Sequence, residues 1–202
     1  MKDAKPYVIE PSSSVSTVSK QSKWPMIINA VLFQALWFSV MVFEQFGLAL
    51  FLSALVVQFF YQRHATRSAI SLSLPFKVLV FGVFMDMGLT FLGLYHFPEN
   101  QLHPNIFDVR FFVIPLWLIG LWLGFVLTLQ HSLQWLRVRK TVCVIAFSVF
   151  GTMSYLAGRR FEMIQFNNES ILFLLLGWAA VGWVASSQDS YRGVNYTNKG
   201  VI

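Results

Sequence analysis

The sequence predicts an all-α membrane protein, a polytopic bundle of about six transmembrane helices with both termini in the cytoplasm. Three observations carry this. Charged residues make up 12% of the 202 residues and hydrophobic ones 56%, against roughly 25% charged in a soluble domain. Mean hydropathy is +0.60. Apolar runs close to the roughly 20 residues that cross a hydrocarbon core recur along the chain, and Lys and Arg gather in alternate connections, as they do on a cytoplasmic face.

Residues 1–23 are polar, Ser-rich and broken by Pro6 and Pro11. They carry too little apolar surface to offset ordering and read as a flexible cytoplasmic tail. The stretch is too long and polar for the start of a signal peptide, and no small-x-small cleavage pattern follows. The bundle is expected over 24–185. Its first span runs from about Trp24 to Phe43, and Glu44-Gln45 make a tight turn. The second, about Phe46 to Tyr61, is short and closed by Arg63, His64 and Arg67. The third, about Phe76 to Phe97, follows Pro75 and Lys77. The longest internal loop, Pro98 to Asp108, leads to the fourth span within Phe111–Trp135. That span ends in Gln130-His131-Ser132 and the basic turn Arg137, Arg139, Lys140. The fifth, about Thr141 to Gly158, stops at Arg159 and Arg160. The sixth, about Ile171 to Ala185, precedes a polar cytoplasmic tail, 186–202.

The charge census fixes the orientation. The tails and the second and fourth loops hold Lys2, Lys5, Lys20, Lys23, Arg63, Arg67, Lys77, Arg137, Arg139, Lys140, Arg192 and Lys199; the other face holds only Arg110, Arg159 and Arg160. The positive-inside rule puts the first set in the cytoplasm. The net charge of +6 is therefore read as orientation signals and not as a nucleic-acid surface. Trp24, Trp135 and Trp183 fall near span ends, where indoles favour the interface. A single cysteine, Cys143, excludes an internal disulfide and a Cys-based metal site. His96 and His103 lack the spacing of a zinc site, so neither metal nor cofactor is expected.

Asp86 is the most informative residue, because an acid within a span costs roughly 2.5–3.5 kcal/mol to insert and commonly marks a functional path. Gly82, Asp86, Thr90 and Gly93 form one small and polar stripe. Counted from Lys77, Asp86 lies roughly 13 Å into the membrane. His131, Asn29 and Gln34 fall at comparable inner-half depths by the same count. The four residues make a candidate polar cluster, a proton-handling or head-group pocket open to the cytoplasm. The alternative is interhelical hydrogen bonds worth about 0.6 kcal/mol each. On the other face Tyr155, Arg159 and Arg160 are candidate contacts for an anionic group, or the arginines pair with Glu162 or Glu169.

Several residue groups together resemble the bacterial membrane family labelled domain of unknown function 2878. They are Asn29, Phe33-Gln34 and Trp37-Phe38, Asp86, Pro115-x-Trp117, His131-Ser132-x-x-Trp135-Leu136, Ser154-Tyr155-x-Ala157-Gly158 and Gly177-Trp178-Ala179. The resemblance covers about residues 25–185. It implies a small multi-pass inner-membrane protein linked to fatty-acid modification, and it adds weight to Asp86, His131 and Tyr155.

The chain has no Walker, Rossmann, nucleophile-elbow or HExxH motif. The leading reading is a non-catalytic accessory or assembly protein for membrane-lipid modification, with bilayer lipid and a membrane protein as partners. One alternative is a proton-coupled transporter or lipid carrier. The other is an intramembrane lipid-modifying enzyme with His131 as base and Asp86 orienting it.

Overall fold

A computed structural model describes residues 24–42, 52–53, 55–61, 73–98, 110–111, 113–129 and 132–187. Both expected tails, the Glu44-Gln45 turn, the Arg63–Arg67 connection, most of the Pro98–Asp108 loop and His131 lie outside the described residues.

The described chain is mainly helical. Its helices are α1 (Trp24–Val42), α2 (the helical residues 55–61), α3 (Ser73–Phe91), α4 (Leu116–Leu129), α5 (Gln134–Arg137), α6 (Lys140–Arg160) and α7 (Ser170–Ser186). Pro25 and Pro75 stand in the first turns of α1 and α3, where a missing N–H costs nothing. Among the described residues two helices, α3 and α6, are long and apolar enough to cross a membrane, and α4, α7 and the Trp24–Val40 part of α1 are shorter and apolar.

The expected fourth span begins later than its composition indicates. Arg110–Phe111 (β2) and Ile114–Pro115 (β3) pair as an antiparallel hairpin before the helix starts. Pro115 disfavours helical backbone in its predecessor, and Ile114 pairs with Phe111 in the hairpin, so the helix begins at Leu116. The third span also ends early, at Phe91, and leads into Tyr95–His96 (β1).

The ends of α3 and α6 are built alike. Gly93 has φ +70°, with Leu94 N bonded to Leu89 O and Gly93 N to Thr90 O. Glu162 has φ +61°, with Met163 N bonded to Gly158 O and Glu162 N to Arg159 O. Both are Schellman turns, which close the last orphan carbonyls of a helix. Each delivers the chain to a short strand, β1 and Gln165–Phe166 (β4), and the two strands pair antiparallel. Ser170 Oγ at the start of α7 donates to Leu94 O. One pole of the bundle therefore holds the ends of α3 and α6 and the start of α7.

Arg137 ties the other pole. Its Nε donates to Ala185 O at 3.0 Å and its Nη1 to Leu129 O at 3.1 Å, satisfying carbonyls at the C-termini of α7 and α4, which carry partial negative charge. Ser132 Oγ reaches Met26 O and Asn29 Oδ1 and brings the start of α1 to the same pole. Arg137 enters the charge census as a solvated orientation signal; in the structure it is buried and joins helix ends.

The polarity of the bundle runs outside in. Asn29, Gln58, Asp86 and Arg137 are buried, whereas Phe76, Phe84, Phe91, Phe150 and Leu172 are exposed. Trp24, Trp135 and Trp183 are exposed at helix ends, and Trp117, Trp122 and Trp178 are buried.

The turn after α6 yields a prediction. Glutamate in the left-handed region costs about 1–2 kcal/mol that glycine avoids, less the roughly 0.5–1 kcal/mol of freedom glycine loses on folding. Glu162→Gly is expected to raise the melting temperature in detergent by about 1–4 °C. The matching change of Gly93 to Ala, at φ +70°, is expected to lower it.

Candidate functional site

Asp86 organises the interior. It lies on the face of α3 that buries Leu74, Val78, Gly82 and Asp86, spaced four apart and so stacked along one side of the helix. Gly82 has no Cβ because the six-membered ring of Trp122 occupies that space. The indole thus packs against α3 one turn before Asp86, and its Nε1 reaches the carboxyl. Trp122 Nε1 donates to Asp86 Oδ2 at 2.7 Å. Tyr155 of α6 and Tyr95 of β1 donate their hydroxyls to Oδ1 at 2.6 and 2.5 Å. Asp86 is 0% exposed. Thr90 Oγ1 bonds its carbonyl at 2.8 Å.

Each donor depends on the fold at its own position. Tyr95 reaches Asp86 because the Schellman turn at Gly93 folds the chain back over the end of α3. Burial first, and then the Asp86 carboxyl beside it, push the Tyr95 hydroxyl well above the ordinary phenol range. It therefore remains a donor at any physiological pH. Tyr155 lies five residues before the end of α6, at the level of β1. Trp122 stacks on Trp178 of α7 with centroids 5.0 Å apart and 16° between planes. One carboxyl thus links α3, β1, α4 and α6, and through the indole stack α7.

The cluster expected from matched depth divides in two. Asp86 is thirteen residues from the start of α3 and five from its end, bonded to Tyr95 beyond that end. It belongs to the Ser170 pole. Asn29 is five residues into α1 and bonds Ser132 at the Lys140 pole. Trp122, the partner of Asp86, is seven residues, roughly 10 Å, from the end of α4 at Leu129, and Ser132, the partner of Asn29, lies beyond that end. α3 starts at Ser73, before Lys77, and ends before Leu92, so Asp86 lies nearer the end of the helix than its start. Gln34 is exposed and bonds neither residue; it borders the cavity described below. His131 lies outside the described residues.

The second expected set also separates. Tyr155 bonds Asp86, not an external group. The Arg159 guanidinium donates to Asn168 Oδ1 at 3.1 Å and Phe166 O at 3.3 Å and stands 4.7 Å from the Phe166 ring centre. Its bonds go to neutral oxygens and not to Glu162 or Glu169. Arg160 is exposed.

Two residues important to the site, Tyr95 and Trp122, escaped the sequence reading. Trp122 left a signal. It stands in mid-span, far from either interface, and a buried indole N–H needs a partner.

A cavity of about 500 Å³ adjoins the Asp86 network. It lies between α1, α4 and α6, and Trp122 and Tyr155 form part of its wall. Asp86 does not line it. The carboxyl therefore fixes two of the wall residues while being sealed from whatever enters.

A family described as protein of unknown function (DUF2878) matches residues 26–184, from Met26 in α1 to Val184 in α7. No curated protein and no solved structure matches the chain.

Proposed function

The chain belongs to the DUF2878 family, and on that premise we propose that it is a six-span protein of a bacterial inner membrane. Both tails lie in the cytoplasm, and it serves membrane-lipid modification as an accessory or assembly partner and not as the catalyst. The enclosure of Asp86 carries this reading. An acid that moves protons or orients a base needs an approach for water or substrate. Both oxygens of this one are taken by Tyr95, Tyr155 and Trp122, with no exposed surface. It acts as a tie between helices.

Two observations support the membrane setting. Large apolar side chains face outward on α1, α3, α6 and α7, more than a water-facing surface normally carries. The buried side chains of Asn29, Gln58, Asp86 and Arg137 each make at least one hydrogen bond inside the bundle, although Asn29 Nδ2 and Gln58 Oε1 are left without one. The six-span topology rests on the distribution of Lys and Arg.

The test is genetic. Deleting the gene in its native host is expected to change the acyl composition of the membrane lipids, read by mass spectrometry of their fatty-acid methyl esters. An Asp86→Asn copy that accumulates to normal level is expected to restore it. Normal accumulation without restoration would show that Asp86 has a chemical role, and an unchanged composition on deletion would remove the link to lipid.

A further inference from the structure

The cavity bears on what the bundle holds. It runs along α6 from Ala146 to Gly158, a rise of roughly 18 Å, and extends from Leu136 near one pole to Phe97 near the other. A volume of about 500 Å³ over that length gives a mean cross-section of roughly 28 Å², about 6 Å across. The cavity is an elongated slot and not a rounded pocket.

Its walls select the chemistry. No charged side chain is among its described lining residues. The polar lining groups are few, and two are committed within the protein: Ser154 Oγ donates to Gly151 O at 2.6 Å and the Tyr155 hydroxyl to Asp86. The remaining surface is aromatic and aliphatic. The Trp178 indole N–H is left without a partner and the Gln34 amide stands at the mouth, but neither is charged, so a phosphate or other charged head group inside would have no counter-charge and its desolvation would go largely uncompensated.

Its mouth faces the bilayer. The exposed lining residues are Gln34 on α1 with Phe150 (68%) and Met153 (54%) on α6. Val142, Ile145 and Val149, also exposed, continue the apolar surface of α6 away from the mouth. Toward the Ser170 pole the slot is closed by Trp37 against Phe161 and Phe97 against Trp117.

We propose that the slot between α1 and α6 admits a lipid acyl chain laterally from the bilayer, its head group remaining outside the slot. This rests on the membrane placement argued above, but not on the accessory role. Asp86 contributes by holding the Trp122 and Tyr155 rings as fixed wall, so that the bore keeps its width.

The full chain is reconstituted in nanodiscs of phosphatidylethanolamine and phosphatidylglycerol containing a phospholipid with a diazirine in its acyl chain. It is then irradiated and its adducts mapped by peptide mass spectrometry. Adducts are expected on the buried slot residues Leu118, Leu121 and Phe147 as well as on outward-facing Phe84 and Leu172. Ala157→Phe and, at the other end of the slot, Ala146→Phe narrow the bore. Each is expected to cut slot adducts by about tenfold or more, as though roughly two methylene groups were no longer buried, while Phe84 and Leu172 adducts persist and report a folded, inserted protein. Adducts confined to Phe84 and Leu172 in the unmodified chain, or slot adducts unaffected by both substitutions, would overturn the proposal. A protein that fails to enter nanodiscs would instead count against the membrane reading.

Discussion

Asp86→Ala is expected to be the most damaging single change in the bundle. It removes the shared acceptor of Tyr95, Tyr155 and Trp122 and strands each donor where no water reaches Asp86. A buried donor left unmatched costs roughly 1–3 kcal/mol, so the loss is on the order of 4 kcal/mol or more. For a chain of this length it corresponds to a fall of about 10 °C or more in melting temperature. Asp86→Asn should be intermediate. One oxygen can still accept the two phenols, but the amide nitrogen then meets the Trp122 N–H, donor against donor. Adding Trp122→Phe removes that conflict. The Asn/Phe double variant is therefore expected to be more stable than the two single losses predict, a coupling of about 0.5–3 kcal/mol for groups in one network. Thermal unfolding in detergent, followed by near-ultraviolet circular dichroism of the aromatic cluster, measures all three. Strict additivity would mean that the carboxyl does not hold the indole.

The sequence exposed much of this, though unevenly. Helix positions followed from the apolar runs, since a long unbroken run has few other ways to satisfy its backbone. The α6 and α7 boundaries agree with the composition within two residues. Where boundaries moved, local chemistry outweighed hydropathy: Pro115 delayed α4, and the turn at Gly93 ended α3 early and returned the chain as β1. Hydropathy could identify Asp86 as the residue that needs partners, and its stripe with Gly82 as inward-facing. It could not show that the partners come from three other elements, because an apolar pattern does not say which side chain of another element a buried tyrosine or tryptophan meets. Arg137 misled for the same reason: counted by charge it marks a membrane face, yet its guanidinium is buried against two helix ends.

The glycines show how the network depends on close helix contact, and Gly151 carries the second large effect. A Cβ at Gly151 would fall on the Trp178 indole, and one at Gly82 on the Trp122 ring. At Gly182 it would come within 2.9 Å of Val144 Cα and 3.0 Å of Cys143 O. α6 thus makes room for a side chain of α7 at Gly151, and α7 makes room for the backbone of α6 at Gly182. This is close approach through small residues, as membrane helices use it. Gly88 serves as the control. A Cβ there meets nothing within 4 Å, so Gly88→Ala is expected to stabilise by about 0.5–1 kcal/mol through helix propensity alone. Gly151→Leu must instead displace Trp178, and the stack transmits the shift to Trp122 and so to Asp86 Oδ2. Overpacking of this kind costs about 1–3 kcal/mol, and the loosened Asp86 bond adds to it. The signature that separates this route from simple crowding is coupling. In an Asp86→Asn background, where the Trp122 bond is already compromised, Gly151→Leu should cost distinctly less than in the wild type. Gly182→Leu, which strikes backbone and not the stack, should cost the same in both. Equal costs for Gly151→Leu in the two backgrounds would mean that the indole pair does not connect α7 to the carboxyl, and that Asp86 ties only α3, β1, α4 and α6.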